Sequence, residues 1–154
     1  MKLLIDADAC PVVNIAVTLC SRFGVPCLLL CDTAHIIQKA GAETLVFDKG
    51  ADSVDLALVN RVQPGDIVIT QDYGLAAMCL AKGAKVINQD GMRYTDENID
   101  TLLAQRAESA AIRRAGGRTK GPAKRTQEQN NAFIEAFPAM IGILYRSGLP
   151  SINT

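Results

Sequence analysis

The sequence predicts an α/β fold built on a mainly parallel sheet, and three observations carry that prediction. Strand-length apolar runs alternate with helical patterns through short connections. The stretch Val25 to Cys31 is apolar throughout, as in a strand that a parallel sheet buries on both faces. Finally, Leu3-Leu4-Ile5 runs straight into Asp6-Ala7-Asp8, placing two acids where open parallel sheets bind their ligands. Right-handed crossovers between the strands follow from the same architecture.

After the first strand, Pro11 to Arg22 reads as a helix: Pro11 suits the first turn, Val13, Ala16, Val17 and Cys20 form an apolar stripe, and Gly24 suits the end. Val25 to Cys31 is the second strand. Thr33 to Gln38 reads as one helical turn carrying the sole histidine, His35, a helix-face residue beside Ile36 and Ile37. Thr44 to Phe47 is a short third strand. Asp52 or Ser53 then caps a helix over Leu56 to Val62, with Asp55 in the first turn, where the helix dipole favours negative charge. Pro64-Gly65 is a turn, Asp66 to Thr70 a fourth strand, Tyr73 to Lys82 a helix stopped by Gly83, and Lys85 to Asn88 a fifth strand. Thr95 caps a long helix reaching about Ala115. A flexible basic loop spans about 116–125. Thr126 to Gln129 has capping-box spacing, so another helix starts there, and Pro138 kinks or ends it. The apolar stretch Met140 to Tyr145 is expected to dock on the body or on a partner. No repeat is apparent, and residues 1–154 read as a single domain.

Bulk composition narrows the class. A chain of 154 residues that is 49% hydrophobic suffices for one domain with a full core. Aromatic residues make up 5% and Trp is absent, so aliphatic packing dominates. The formal net charge is zero, which nominates no partner, but Arg113, Arg114, Arg118, Lys120, Lys124 and Arg125 fall together with no acid between them. Five cysteines, odd in number and without a CxxC, argue against a disulfide framework and a zinc site. Reduced thiols, an opening strand in place of a leader, and no apolar run near the roughly 20 residues of a membrane span predict a cytoplasmic protein.

The acids carry the chemistry. Asp6 and Asp8 follow the first strand, Asp72 follows the fourth, and Asp52 and Asp55 flank a helix start between them. Capping accounts for any one of them alone. Together they converge on one sheet edge if the first and fourth strands are neighbours. Two carboxylates about 4 Å apart repel by roughly 4 kcal/mol at an effective dielectric of 20, so such a cluster calls for a cation, shared protons or wide spacing. Oxygen donors suit Mg²⁺ or Mn²⁺, which meet substrate phosphates and activate water in phosphodiester cleavage. The basic loop supplies the complement, with Arg118, Lys120, Lys124 and Arg125 suited to phosphate oxygens. Few aromatics accompany it, so nucleic-acid contacts are expected mainly to the backbone.

Four blocks then carry a resemblance: Asp6-Ala-Asp8-Ala-Cys10-Pro11-Val12, Asp48-Lys49-Gly50-Ala51-Asp52-x-x-Asp55, Thr70-Gln71-Asp72-Tyr73-Gly74-Leu75-Ala76, and Arg118-Thr119-Lys120-Gly121-Pro122. In this order, over nearly the whole chain, they resemble the YaiI/YqxD family of bacterial proteins, grouped with the PIN-like domains. The resemblance implies a three-layer α/β/α PIN-like fold and a Mg²⁺- or Mn²⁺-dependent ribonuclease site. By position it implies Asp6, Asp55 (ahead of Asp52) and Asp72 as metal-holding acids, with Asp8 a ligand or water-positioning residue from the family's own motif. A fourth acid is implied about a helix further on. Asp90 is the nearest position, although Asn88-Gln89-Asp90-Gly91 reads equally as a turn.

Two other functions compete. A non-catalytic RNA- or ribosome-associated protein on the same fold would use the basic residues without the acids. A phosphatase of the haloacid dehalogenase type is suggested by Leu4-Ile5-Asp6-Ala7-Asp8 and by Gly65-Asp66 with Asp72. Cys10, however, stands where Thr or Val is usual, and no cap domain is evident.

Overall fold

The computed structural model describes residues 1–50, 53–118 and 123–142. The elements run β1 (Leu3–Asp6), α1 (Val13–Phe23), β2 (Cys27–Asp32), β3 (Glu43–Phe47), α2 (Ser53–Arg61), β4 (Ile67–Ile69), α3 (Tyr73–Ala81), β5 (Lys85–Ile87), β6 (Arg93–Tyr94), α4 (Asp96–Arg114) and α5 (Gln127–Met140). The strands form one sheet in the order β3-β2-β1-β4-β5-β6. Pairing is parallel throughout except for β6, which is antiparallel to β5.

Period-two alternation builds three layers from this sheet. Leu3, Ile5, Leu29, Ile67, Ile69 and Ile87 face a core shared with α1 and with Phe133 and Phe137 of α5. Leu4, Leu30, Val68 and Val86 face a second core with Leu58 of α2, Leu75 and Cys79 of α3, and Ile99 of α4. Both faces of the central strands are therefore buried, which is why they read as unbroken apolar runs. All five cysteines are free thiols. Among the described residues, no helix is long and apolar enough to cross a membrane.

The helix ends follow the local sequence. Gly24 adopts φ 69° and returns its N–H to Cys20 O, closing α1. Thr95 and Thr126 each form a complete capping box, with Asn98 and Gln129 respectively. Two expectations change, and one further strand appears. Thr33 to Gln38 is a turn with no helix, because the Asp32 carboxylate takes the N–H groups of Ala34 and His35 and the chain then leaves toward β3. α5 continues through Pro138 to Met140, since Phe137, Pro138 and Met140 all bury in the core. The two-residue strand β6 was not expected; it swings Tyr94 under β4, where its hydroxyl donates to Thr70 O at 3.2 Å. Asp52, Lys120 and residues 143–145 lie outside the described residues.

Candidate functional site

The chain leaves β1 toward β2 and β3 on one side, then returns through α2 to β4 on the other. β1 and β4 thus flank the point where strand order reverses, and a crevice opens there at their carboxyl ends. Pairing of Ile5 with Ile69 sets Thr70 beside Asp6. The Thr70 hydroxyl donates to Asp6 Oδ2 at 3.0 Å and accepts the Asp72 N–H at 3.0 Å. Asp72 is the N-cap of α3, accepting from Gly74 N at 2.8 Å and Leu75 N at 3.1 Å. Its capping role and its place at the crevice coexist, because the side chain keeps one edge toward the open space.

Asp8 sits in the turn between β1 and α1. Ala9 holds a left-handed φ of 56° there, and Gln71 Nε2 donates to Ala9 O at 3.0 Å, tying that turn to the end of β4. A non-glycine residue in this region stores strain that its surroundings must hold in place. Asp55 comes from the first turn of α2. A cleft of about 250 Å³ is lined by Asp6, Asp8, Asp32, Gly50, Val54, Asp55 and Asp72. Four sequence-predicted acids, Asp6, Asp8, Asp55 and Asp72, therefore meet at one cavity. Burial pushes the Asp6 carboxyl up to about 6; the Thr70 hydrogen bond works against this, and the charges of Asp55, Asp72 and Asp8 add to it.

Three residues join this site without having been anticipated. Asp32 ends β2, the neighbour of β1, so the strand-end reasoning applied to Asp6 would have found it. His35 Nδ1 lies 3.3 Å from Asp32 Oδ1 and 3.5 Å from Asp8 Oδ1. Ligand atoms of Asp8, Asp32 and His35 all fall within 4.8 Å of one another, a spacing able to hold a metal ion. Arg106 reaches from α4 to place Nη1 3.3 Å from Asp72 Oδ1; no local sequence signal marks it.

Other expected residues lie elsewhere. Asp90 follows β5 but bonds Arg125 Nη1 at 2.6 Å. Arg125 also donates to Gln89 O and Asn130 Oδ1, so it pins the start of α5 to the β5–β6 turn. Arg118 and Lys124 are exposed, and neither is among the residues lining the acid cleft. Asp66 is at the amino end of β4, bound to Lys2, on the opposite sheet edge from Asp6. That placement removes the late acidic motif of the phosphatase reading.

Residues 4–142 match the family model described as "Uncharacterized BCR, YaiI/YqxD family". The chain belongs to the YaiI/YqxD family. Relatives named "UPF0178 protein" include one from Exiguobacterium sibiricum, 51% identical over 141 residues, spanning 92% of this chain and 96% of that protein. One from Ruminiclostridium cellulolyticum is 50% identical over 136 residues, covering 88% and 89%. One from Clostridium tetani is 43% identical over 142 residues, covering 92% and 97%. No solved structure matches this YaiI/YqxD chain.

Proposed function

We propose that this YaiI/YqxD protein is a cytoplasmic, Mg²⁺- or Mn²⁺-dependent ribonuclease, with residues 1–154 forming one PIN-like domain. The observation that carries the reading is the convergence of Asp6, Asp8, Asp55 and Asp72 on one cleft at the β1/β4 crossover point. The residues fit a divalent cation on their donor chemistry. Carboxylate oxygens dominate, and Asp6 is largely buried among like charges with the Thr70 hydroxyl as a neutral partner. Such a group is costly to ionise unless a cation compensates it.

Asp6, Asp8, Asp55 and Asp72 would hold the ion, with Asp32 and His35 on the Asp8 side. When bound, the ion acts as a Lewis acid toward a phosphoryl oxygen and lowers the pKa of a water. Thr70 fixes the rotamer of Asp6 and, through the Asp72 N–H, the start of α3. Arg118 and Lys124, exposed and outside the cleft lining, supply backbone phosphate contacts, and Lys120 is their neighbour in sequence. The test is Mn²⁺ titration by calorimetry alongside cleavage of a fluorescent single-stranded RNA. Wild type is expected to bind Mn²⁺ and cut, and Asp6→Asn to lose both. Cleavage undiminished in Asp6→Asn, or no Mn²⁺ binding by the wild type, overturns the assignment.

The exposure of Arg118 and Lys124 favours a second reading, an RNA-binding protein without chemistry. In that case RNA binding persists in EDTA and in Asp72→Asn, and weakens when Lys120 and Lys124 are neutralised.

A further inference from the structure

A second groove, of about 350 Å³, adjoins the acid cleft and shares Asp55 and Asp72 with it. Its remaining wall is of a different character. Leu56 and Met78 are large apolar side chains exposed at 57% and 41%, one from α2 and one from α3, and both line this groove. Single exposed apolar residues are ordinary, but these two come from separate helices and together give one concavity an apolar wall beside its acidic end. Leu56 directly follows Asp55, and a helix turns about 100° per residue, so consecutive positions of α2 border the two compartments.

Arg106 forms the other side. Its Nη1 makes a long contact to Asp72, which already accepts two backbone N–H groups, and the Arg106 side chain is 57% exposed. The rest of its planar fork is available to an anion, and the guanidinium geometry matches a phosphate. Arg106 also lines the groove on the far side of Asp72, beside Asp8 and Tyr73. It therefore lines both grooves and contacts Asp72, which borders the acid cleft as well. Gly74 lines the groove, where a Cβ would stand 3.3 Å from Asp72 Oδ1 and 3.7 Å from Arg106 Nη1.

We propose that this groove is a subsite for one unpaired nucleotide of single-stranded RNA, with its phosphate on Arg106 and its base against Leu56 and Met78. The inference rests on the ribonuclease reading for the neighbouring cleft and adds where one nucleotide beside that cleft would be held. The groove is at the small end of ligand pockets, which run roughly 300–1,000 Å³ and largely enclose what they bind. That is room for one nucleotide and not for a duplex. A base reaching between Leu56 and Met78 must leave its stack, and these two apolar side chains would shield its face from water without aromatic stacking.

The test is fluorescence anisotropy with a labelled hexauridylate and with a duplex of equal length, in EDTA and in Ca²⁺, as a function of salt. Arg106→Gln is expected to weaken hexamer binding about tenfold and to flatten the slope of log affinity against log salt by about 0.7, the loss of one single-strand phosphate contact. The double variant Leu56→Ser, Met78→Ser is expected to weaken binding about fivefold and leave the slope unchanged, because no charge is lost. Gly74→Leu fills the groove without removing a donor and should weaken binding as well, with melting curves checking that each variant folds. Variants binding like the wild type, or a duplex binding as tightly as the hexamer, overturn the subsite. Indifference of affinity and cleavage to divalent ions would count against the ribonuclease reading alone, because the comparison among variants in EDTA reports on the groove by itself.

Discussion

The two edges of the sheet each hold a largely buried aspartate, and the fold treats them in opposite ways. At the amino end of β4, Asp66 is 3% exposed and receives the Lys2 ammonium, the Lys2 N–H at 3.1 Å and the Gln63 N–H at 2.9 Å. Burial by itself would raise its pKa, but these hydrogen bonds and the lysine charge outweigh burial and hold it below the ordinary carboxylate value. At the carboxyl end, Asp6 has a threonine hydroxyl and three neighbouring acids, and its pKa rises to about 6. Asp66 is a closed structural pair, complete within the chain. Asp6 instead has a neutral hydroxyl partner and is pushed up by burial and by the charges of Asp55, Asp72 and Asp8, a condition that a divalent cation would relieve.

The largest expected effect tests the closed edge. Asp66→Ala leaves a lysine and two backbone N–H groups without their acceptor, at a cost of about 3 kcal/mol. For a chain of this length that lowers the melting temperature by roughly 10 °C. A loss within about 0.5 kcal/mol, typical of a surface change, would break the comparison. The open edge should respond with the opposite sign. Because the folded pKa of Asp6 lies above its ordinary value of 3.8, the folded state holds the extra proton between about pH 4 and 6. Its contribution is fully present below pH 4 and is lost as pH rises through about 6, on the order of 2 kcal/mol by pH 8. Asp6→Asn removes that dependence, so in EDTA at pH 8 the variant should melt above the wild type, and excess Mn²⁺ should reverse the order. An Asp6→Asn protein less stable than wild type in EDTA at pH 8 would show that Asp6 is balanced within the fold after all.

Much of this was legible in the sequence, for reasons that also explain the gaps. Strands such as Leu3–Asp6 and Cys27–Asp32 announce themselves because both faces bury, and capping boxes at Thr95 and Thr126 fix helix starts through local hydrogen bonds. The meeting of Asp6, Asp8 and Asp72 was readable because acids just past parallel strands share one edge once β1 and β4 are neighbours, and Asp55 joins them from the first turn of α2. Arg106 was not readable: it lies mid-helix on α4, and only the packing of α4 against α3 brings it to Asp72. His35 reads as a helix-face residue from its neighbours Ile36 and Ile37, whereas the Asp32 carboxylate that takes the Ala34 and His35 N–H groups and turns the chain becomes visible only in three dimensions. Arg125 was grouped with phosphate-binding residues by charge alone, whereas its bonds to Asp90, Gln89 and Asn130 depend on the β5–β6 turn meeting α5.

The smallest effect sharpens the contrast between the edges most directly. Thr70 is 1% exposed, and its hydroxyl stands between the two crevice acids, donating to Asp6 and accepting from the Asp72 N–H. Thr70→Val keeps the shape and removes both bonds, for a loss of about 1 kcal/mol. The hydroxyl favours the carboxylate over the carboxylic acid, so its removal should raise the pKa of Asp6 further. The loss should accordingly be larger at pH 8 than at pH 4, and the midpoint of the stability-versus-pH curve should move upward. Asp66, at the other edge and bound to Lys2, should contribute the same in both proteins. Urea unfolding of wild type and variant across this range, in EDTA, separates the cases. An equal loss at pH 4 and pH 8 would mean that Thr70 serves only to start α3 and does nothing for the charge on Asp6.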